Sequence, residues 1–232
     1  MTADPIVFVP GLLCTEALFA PQITALADHP IMVANIGDDV SIGAVAARLL
    51  DAAPDRFALI GLSMGGYIAM EVMRVAPERV SKLSLLNTSA RADTNEQSRR
   101  RNTLVRLATE KSFEKIPDLL FPGFVHEKNE SCATLRSVVV EMATQTGPDA
   151  FVRQQRAIAA RIDSRPSLTD IDCPTLVLTG DGDRLLSPDL SAEIHELIPN
   201  SHMVTIQNCG HLSTLEAPQR VIAELSAFLN ST

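Results

Sequence analysis

Three short motifs hold side chains that can do covalent chemistry together: a serine in Gly61-Leu62-Ser63-Met64-Gly65, an aspartate pair in Gly180-Asp181-Gly182-Asp183, and a histidine in Cys209-Gly210-His211. A serine hydroxyl is a weak nucleophile at neutral pH. It needs a base, and an imidazole serves when a carboxylate fixes its tautomer and orientation. Ser63 follows the apolar run Phe57-Ala58-Leu59-Ile60 and precedes Gly66, Ala69, Met70 and Met73 at helical spacing. A strand that turns sharply into a helix at this point cramps the backbone around the serine, and glycines on both flanks relieve the crowding. The serine then stands at a helix N-terminus, where the Met64 amide and the helix dipole can stabilise a developing oxyanion. The second oxyanion donor is expected from the loop after the first strand, Val9-Pro10-Gly11-Leu12-Leu13, with Gly11 letting the chain bend so that the Leu12 amide faces the carbonyl oxygen.

Of the five histidines, His211 has the setting of a base, because Gly210 permits a tight loop just beyond the last strand-like run. His29 precedes Pro30, His195 sits in a polar helix pattern and His202 begins a strand, which leaves His126 as its competitor. The acid is expected after the preceding strand, in Leu178-Thr179-Gly180-Asp181-Gly182-Asp183-Arg184. Asp183 is the choice there, with Asp181 the alternative, since Asp181 lies nearer the strand and suits a local turn hydrogen bond. After the strand ending at Asn87 no carboxylate occurs before Asp93.

These motifs must be carried by strands and helices in alternation. Strand-like runs occur at 6–9, 31–36, 57–60, 80–86, 175–178 and 202–206, and helix-patterned stretches at 15–28, 41–53, 63–76, 188–198 and 217–230. Several runs are continuously apolar, which points to an α/β fold with a doubly wound, mostly parallel sheet of about six strands covered on both faces. The alternation stops between residues 90 and 166, where only helical patterns appear: 94–111, 113–120, 130–144 and 149–162. The expected organisation is therefore a core of residues 1–89 and 167–232 with a helical cap, residues 90–166, inserted between two core strands.

The 232 residues are 46% hydrophobic with net charge −8, the balance of one globular domain with a sizeable core, and the acidity argues against nonspecific nucleic-acid binding. Positive charge is concentrated in the insertion. Residues 89–167 hold 13 of the 20 Lys and Arg but 10 of the 28 Asp and Glu, including Arg99, Arg100, Arg101, Arg106, Arg153, Arg156, Arg161 and Arg165. These arginines read mainly as solvated surface paired with Glu96 or Glu110; the sharper expectation is that one or two face the cleft and bind a substrate carboxylate or an acidic carrier protein. No apolar run of membrane-spanning length and no leader pattern is present, so a cytoplasmic protein without membrane contact is expected. Cys14, Cys132, Cys173 and Cys209 form no C-x-x-C pair, no clustered metal ligands occur and no phosphate loop is seen, so neither metal nor cofactor is expected.

The order Ser63, Asp183, His211, together with Pro-Gly-Leu, Gly-Leu-Ser-Met-Gly-Gly, Gly-Asp-Gly-Asp and Cys-Gly-His, resembles the α/β-hydrolase superfamily over nearly the whole chain. The resemblance implies that fold without its N-terminal hairpin, since this chain starts at the family's third strand. Pro10 stands where members usually have histidine, and Ile36-Gly37-Asp38-Asp39-Val40 replaces a usual Gly-rich turn. Ser63 argues against haloalkane dehalogenases and epoxide hydrolases, which carry aspartate at the elbow. The implied activity is acyl transfer to water on a small-molecule ester, thioester or lactone, an anionic one among the candidates, by a monomer or homodimer. The alternatives are C–C bond hydrolysis or a menaquinone-pathway type of lyase reaction with the same triad, and, in a different class, a ligand receptor.

Overall fold

The computed structural model describes residues 4–231. Its centre is one six-stranded parallel sheet formed by β1 (Ile6–Val9), β2 (Ile31–Val33), β3 (Phe57–Leu62), β4 (Val80–Leu86), β5 (Thr175–Gly180) and β6 (Ser201–Ile206), in the order β2-β1-β3-β4-β5-β6. The sequence dictates burial on both sides. Side chains alternate across a strand, and both sets are apolar in β1, β3 and β5. Ile6, Phe8, Ala58, Ile60, Leu176 and Leu178 pack on one face with Phe19, Leu26, Val221 and Leu225. Val7, Val9, Phe57, Leu59, Leu83, Leu85 and Val177 pack on the other with Val45, Leu49, Ile68, Val72, Ile194 and Ile198. Thus α1 (Ala20–Ala25) and α10 (Pro218–Asn230) cover the first face, and α2 (Ile42–Ala52), α3 (Met64–Val75) and α8 (Pro188–Leu197) cover the second. This is the doubly wound parallel sheet expected from the sequence, with no N-terminal hairpin among the described residues.

Two core elements are shorter than their patterns. The run 31–36 gives only the three-residue edge strand β2, because its partner β1 ends at Val9 and Asn35 turns the chain by accepting from the Gly37 amide. The 15–28 pattern divides into a 3₁₀ turn, Glu16–Phe19, and α1, where Pro21 occupies the first helical turn and has no amide to continue a longer helix.

Between β4 and β5 the chain forms α4 (Asn95–Leu107), α5 (Ile116–Phe124), α6 (Ala133–Ala159) and the short α7 (Arg165–Leu168). Thr94 and Gln97 close a reciprocal capping box at the start of α4. The two patterns 130–144 and 149–162 are two arms of α6, bent at Gly147, whose φ of 75° departs from helical geometry. Helices α4 and α5 pack against α6, and Phe121, Phe124, Val139, Met142 and Phe151 are buried in the same apolar cluster as Phe8, Ile60 and Leu62 of the sheet.

Candidate active site

Ser63 joins β3 to α3 with φ 58° and ψ −113°, a conformation in the positive-φ region that non-glycine residues rarely occupy. The flanking glycines are required by contact. A Cβ on Gly61 would lie 2.3 Å from the Gly65 carbonyl oxygen, and one on Gly65 would lie 1.9 Å from the Val9 carbonyl oxygen. The turn from β3 into α3 needs hydrogen at position 61, and β1 and α3 can approach this closely only with hydrogen at position 65, an approach that puts the loop after β1 beside Ser63.

His211 lies in the loop after β6 and Asp183 in the loop after β5, so all three side chains converge beyond the carboxyl ends of parallel strands. His211 Nε2 is 2.8 Å from Ser63 Oγ, and His211 Nδ1 is 2.8 Å from Asp183 Oδ2. Ser63, Asp183 and His211 are buried, as expected where water would otherwise screen the charges. Burial alone would raise the Asp183 pKa, but the opposing charge and hydrogen bond of His211, the Leu186 amide and the Asn87 amide hold it below the ordinary value of 3.8. A depressed folded pKa contributes stability that is present above the unfolded value and lost as pH falls through the folded one, so acid loss of this interaction lies below about pH 4.

Of the two aspartates, Asp183 meets the imidazole, while Asp181 accepts from the Cys209 amide and braces the turn. His126 is directed elsewhere: its ring sits over Gly182 and its Nδ1 accepts from the Lys128 amide. The residue after β4 is Asn87, and it was not singled out from sequence. Its Nδ2 donates 3.0 Å to Asp183 Oδ2 and 3.1 Å to the Gly210 carbonyl, tying the acid loop to the histidine loop. Glu216 was also missed. It accepts from the Gly210, His126 and Asn129 groups and so holds the histidine loop against the inserted segment. A third missed residue is Gln154 of α6, whose Oε1 accepts 3.0 Å from the Leu13 amide where Leu13 has φ 61°.

The cleft above Ser63 has a volume of about 120 Å³. The core lines it with Gly11, Leu12, Tyr67 and Leu186, and the inserted segment with Leu104, Leu120, Phe124 and Ile158. Phe124 stacks against His211 with ring centroids 6.2 Å apart. Of the ten arginines in the insertion, Arg100 and Arg101 line the cleft. The ion pairs expected with Glu96 or Glu110 are not the ones formed: Arg101 and Arg161 pair with Asp93, and Arg165 with Asp163 and Glu193. Arg153 donates to the Gly37 carbonyl. Among the described residues no group of three or more His, Cys, Asp or Glu is arranged to hold a metal ion, and no helix is long and apolar enough to cross a membrane.

Cys14 also lines the cleft, but burial pushes its thiol up to about 12. At pH 8 roughly one thiol in ten thousand would be thiolate, and only the thiolate is reactive. Iodoacetamide at pH 8 is therefore expected to leave Cys14 and the activity of the protein intact while it labels the more accessible Cys132. Peptide mass mapping alongside residual activity checks this, and rapid inactivation with label on Cys14 would contradict it.

The profile of the alpha/beta hydrolase fold family matches residues 38–218. A pimeloyl-acyl-carrier-protein methyl ester esterase of Aliivibrio salmonicida is 25% identical, over 97% of this chain and 91% of its own. Among solved structures, a thermophilic esterase of Thermogutta terrifontis superposes with a TM-score of 0.89 at 26% identity, covering 98% of this chain and 90% of that one. The enol-lactonase of Burkholderia xenovorans has the same fold, with a TM-score of 0.89 at 22% identity, covering all of this chain and 93% of that one. With the matched profile spanning most of its length, the chain belongs to the alpha/beta hydrolase family and is a hydrolase.

Proposed function

We propose that this hydrolase cleaves a small carboxylic ester, thioester or lactone through an acyl-enzyme on Ser63. The observation that carries the reading is the unbroken relay from Ser63 Oγ through His211 to Asp183, with 2.8 Å at each step, opening on a cleft with mainly apolar walls. Ser63 Oγ attacks the carbonyl carbon while His211 Nε2 takes its proton, and Asp183 stabilises the imidazolium through Nδ1. The amides of Leu12 and Met64 receive the negative oxygen. Collapse of the tetrahedral adduct expels the alcohol or thiol, which takes the proton from His211. Water then enters, gives a proton to His211, attacks the acyl carbon and releases the acid, with the proton returning to Ser63. Helices α4 to α6 act as a cap that supplies the outer wall of the cleft and excludes solvent from these steps.

A series of p-nitrophenyl esters of increasing acyl length tests the reading. Saturable turnover is expected, with an initial burst of p-nitrophenolate that approaches one equivalent per chain when deacylation is slower than acylation. The length preference reports how the 120 Å³ cleft is filled. Absence of turnover on every member, together with failure of a fluorophosphonate to label Ser63, would overturn it.

A further inference from the structure

Deep in the outer wall of the cleft, Gln155 of α6 is 1% exposed, and its Nε2 has no hydrogen-bond partner among the described residues. Its orientation is fixed chemically. Arg101 Nη1 donates 2.9 Å to Gln155 Oε1, and reversing the amide would set donor against donor, so the two N–H groups of Nε2 must point the other way. A buried amide left without an acceptor is costly, and a ligand that supplies the acceptor removes that cost.

The charges around it are unbalanced in one direction. The Asp93 side chain, 1% exposed, is shared by the guanidiniums of Arg101 and Arg161, so two positive charges meet a single negative one. Arg161 is further occupied by the face of Tyr67, 4.3 Å from the ring centre. Arg101 spends Nε–H, one Nη1–H and one Nη2–H on Asp93 and Gln155, and two of its five N–H groups are without a partner among the described residues. Arg100 lines the same cleft and has no ion pair among the described residues. Among the described residues no Asp or Glu side chain lines the cleft to offset them, although the whole chain carries a charge of −8.

We infer that this wall is a binding site for a carboxylate carried by the substrate at the end remote from the scissile carbonyl, with Gln155 Nε2 and Arg101 donating to its oxygens and Arg100 adding charge. The substrate class is then the half-ester, or the corresponding thioester or lactone acid, of a dicarboxylic acid. The inference rests on the esterase reading for its kinetic test but not for its binding test.

Monomethyl adipate and methyl hexanoate have equal acyl length and differ in the terminal carboxylate. Wild-type protein is expected to show kcat/KM at least about tenfold higher for the anionic ester, and Gln155→Met to erase about tenfold of that ratio, mainly through KM. Arg101→Lys, which keeps the charge facing Asp93 but loses the planar fork, is expected to lower the same ratio. Equal or better turnover of methyl hexanoate by wild type would overturn the inference and leave the esterase reading standing. So would variants that depress both esters alike. If neither methyl ester turns over, the p-nitrophenyl series and fluorophosphonate labelling decide the esterase reading, and calorimetric titration of Ser63→Ala with monomethyl adipate decides the site. Binding weakened about tenfold by Gln155→Met supports it, and no heat up to about 10 mM ligand overturns it.

Discussion

Replacing Ser63 with alanine is expected to lower kcat/KM for ester substrates by about 10⁴- to 10⁶-fold while the protein keeps its fold. The side chain's recorded partner is His211 Nε2, so the substitution removes a nucleophile without orphaning a buried donor elsewhere. Circular dichroism and thermal unfolding close to wild type, with steady-state kinetics at the limit of detection, would constitute the result. Retention of more than a tenth of the activity would mean that another group attacks. Asp183→Asn should fall nearly as far, by about 10⁴-fold, for a reason visible in its contacts. Asp183 Oδ1 accepts from the Leu185 and Leu186 amides, so an asparagine must keep its oxygen there and turn its NH₂ toward His211. His211 Nδ1 then becomes an acceptor, the ring proton moves to Nε2, and the base faces Ser63 as a donor.

The second large effect is expected at Gly65. A methyl group there would lie 1.9 Å from the Val9 carbonyl oxygen and 2.8 Å from that of Pro10, both backbone atoms that no rotamer change can clear. Helix α3 must move away from β1, which opens the contact between the fully buried strand and the buried face of the helix, and a loss of about 4 kcal/mol or more is expected for Gly65→Ala. Urea unfolding with an unchanged slope and a lowered midpoint would measure it. Activity should fall more than stability alone accounts for, because Val9 and Pro10 lead directly into the loop that carries the Leu12 amide. A midpoint within about 1 kcal/mol of wild type would show that the two elements part more easily than their contact implies.

The parts of the site that could be read from sequence are those whose chemistry is local. A serine at positive φ needs glycines two residues away on either side. An imidazole beyond a strand end needs a tight turn, and both demands leave marks within five residues of Ser63 and His211. The sheet was legible for a similar reason, since strands buried on both faces leave continuous apolar runs. Asn87, Gln154, Gln155 and Glu216 left no such mark. Each acts on a partner far away in the chain, such as Asp183, Leu13, Arg101 or Gly210, and only folding brings them together. Asn87 could have been noticed as a polar residue ending an apolar strand where an acid was sought and not found. The pairing of the arginines was misjudged because helical spacing favoured Glu96 and Glu110, whereas Asp93 lies before α4 and reaches Arg101 and Arg161 through the packing of α4 on α6.

Consecutive residues of α6 do two different jobs: Gln154 holds the Leu13 amide in the loop beside Ser63, and Gln155 holds Arg101 at the far end of the cleft. The inserted segment is therefore not an interchangeable cassette set over a self-sufficient core. Grafting a relative's insertion onto this sheet, as one would to change selectivity, also removes a strut under the loop proposed to meet the carbonyl oxygen. A chimera made this way should bind its new ligands yet turn them over poorly until a glutamine is restored opposite Leu13.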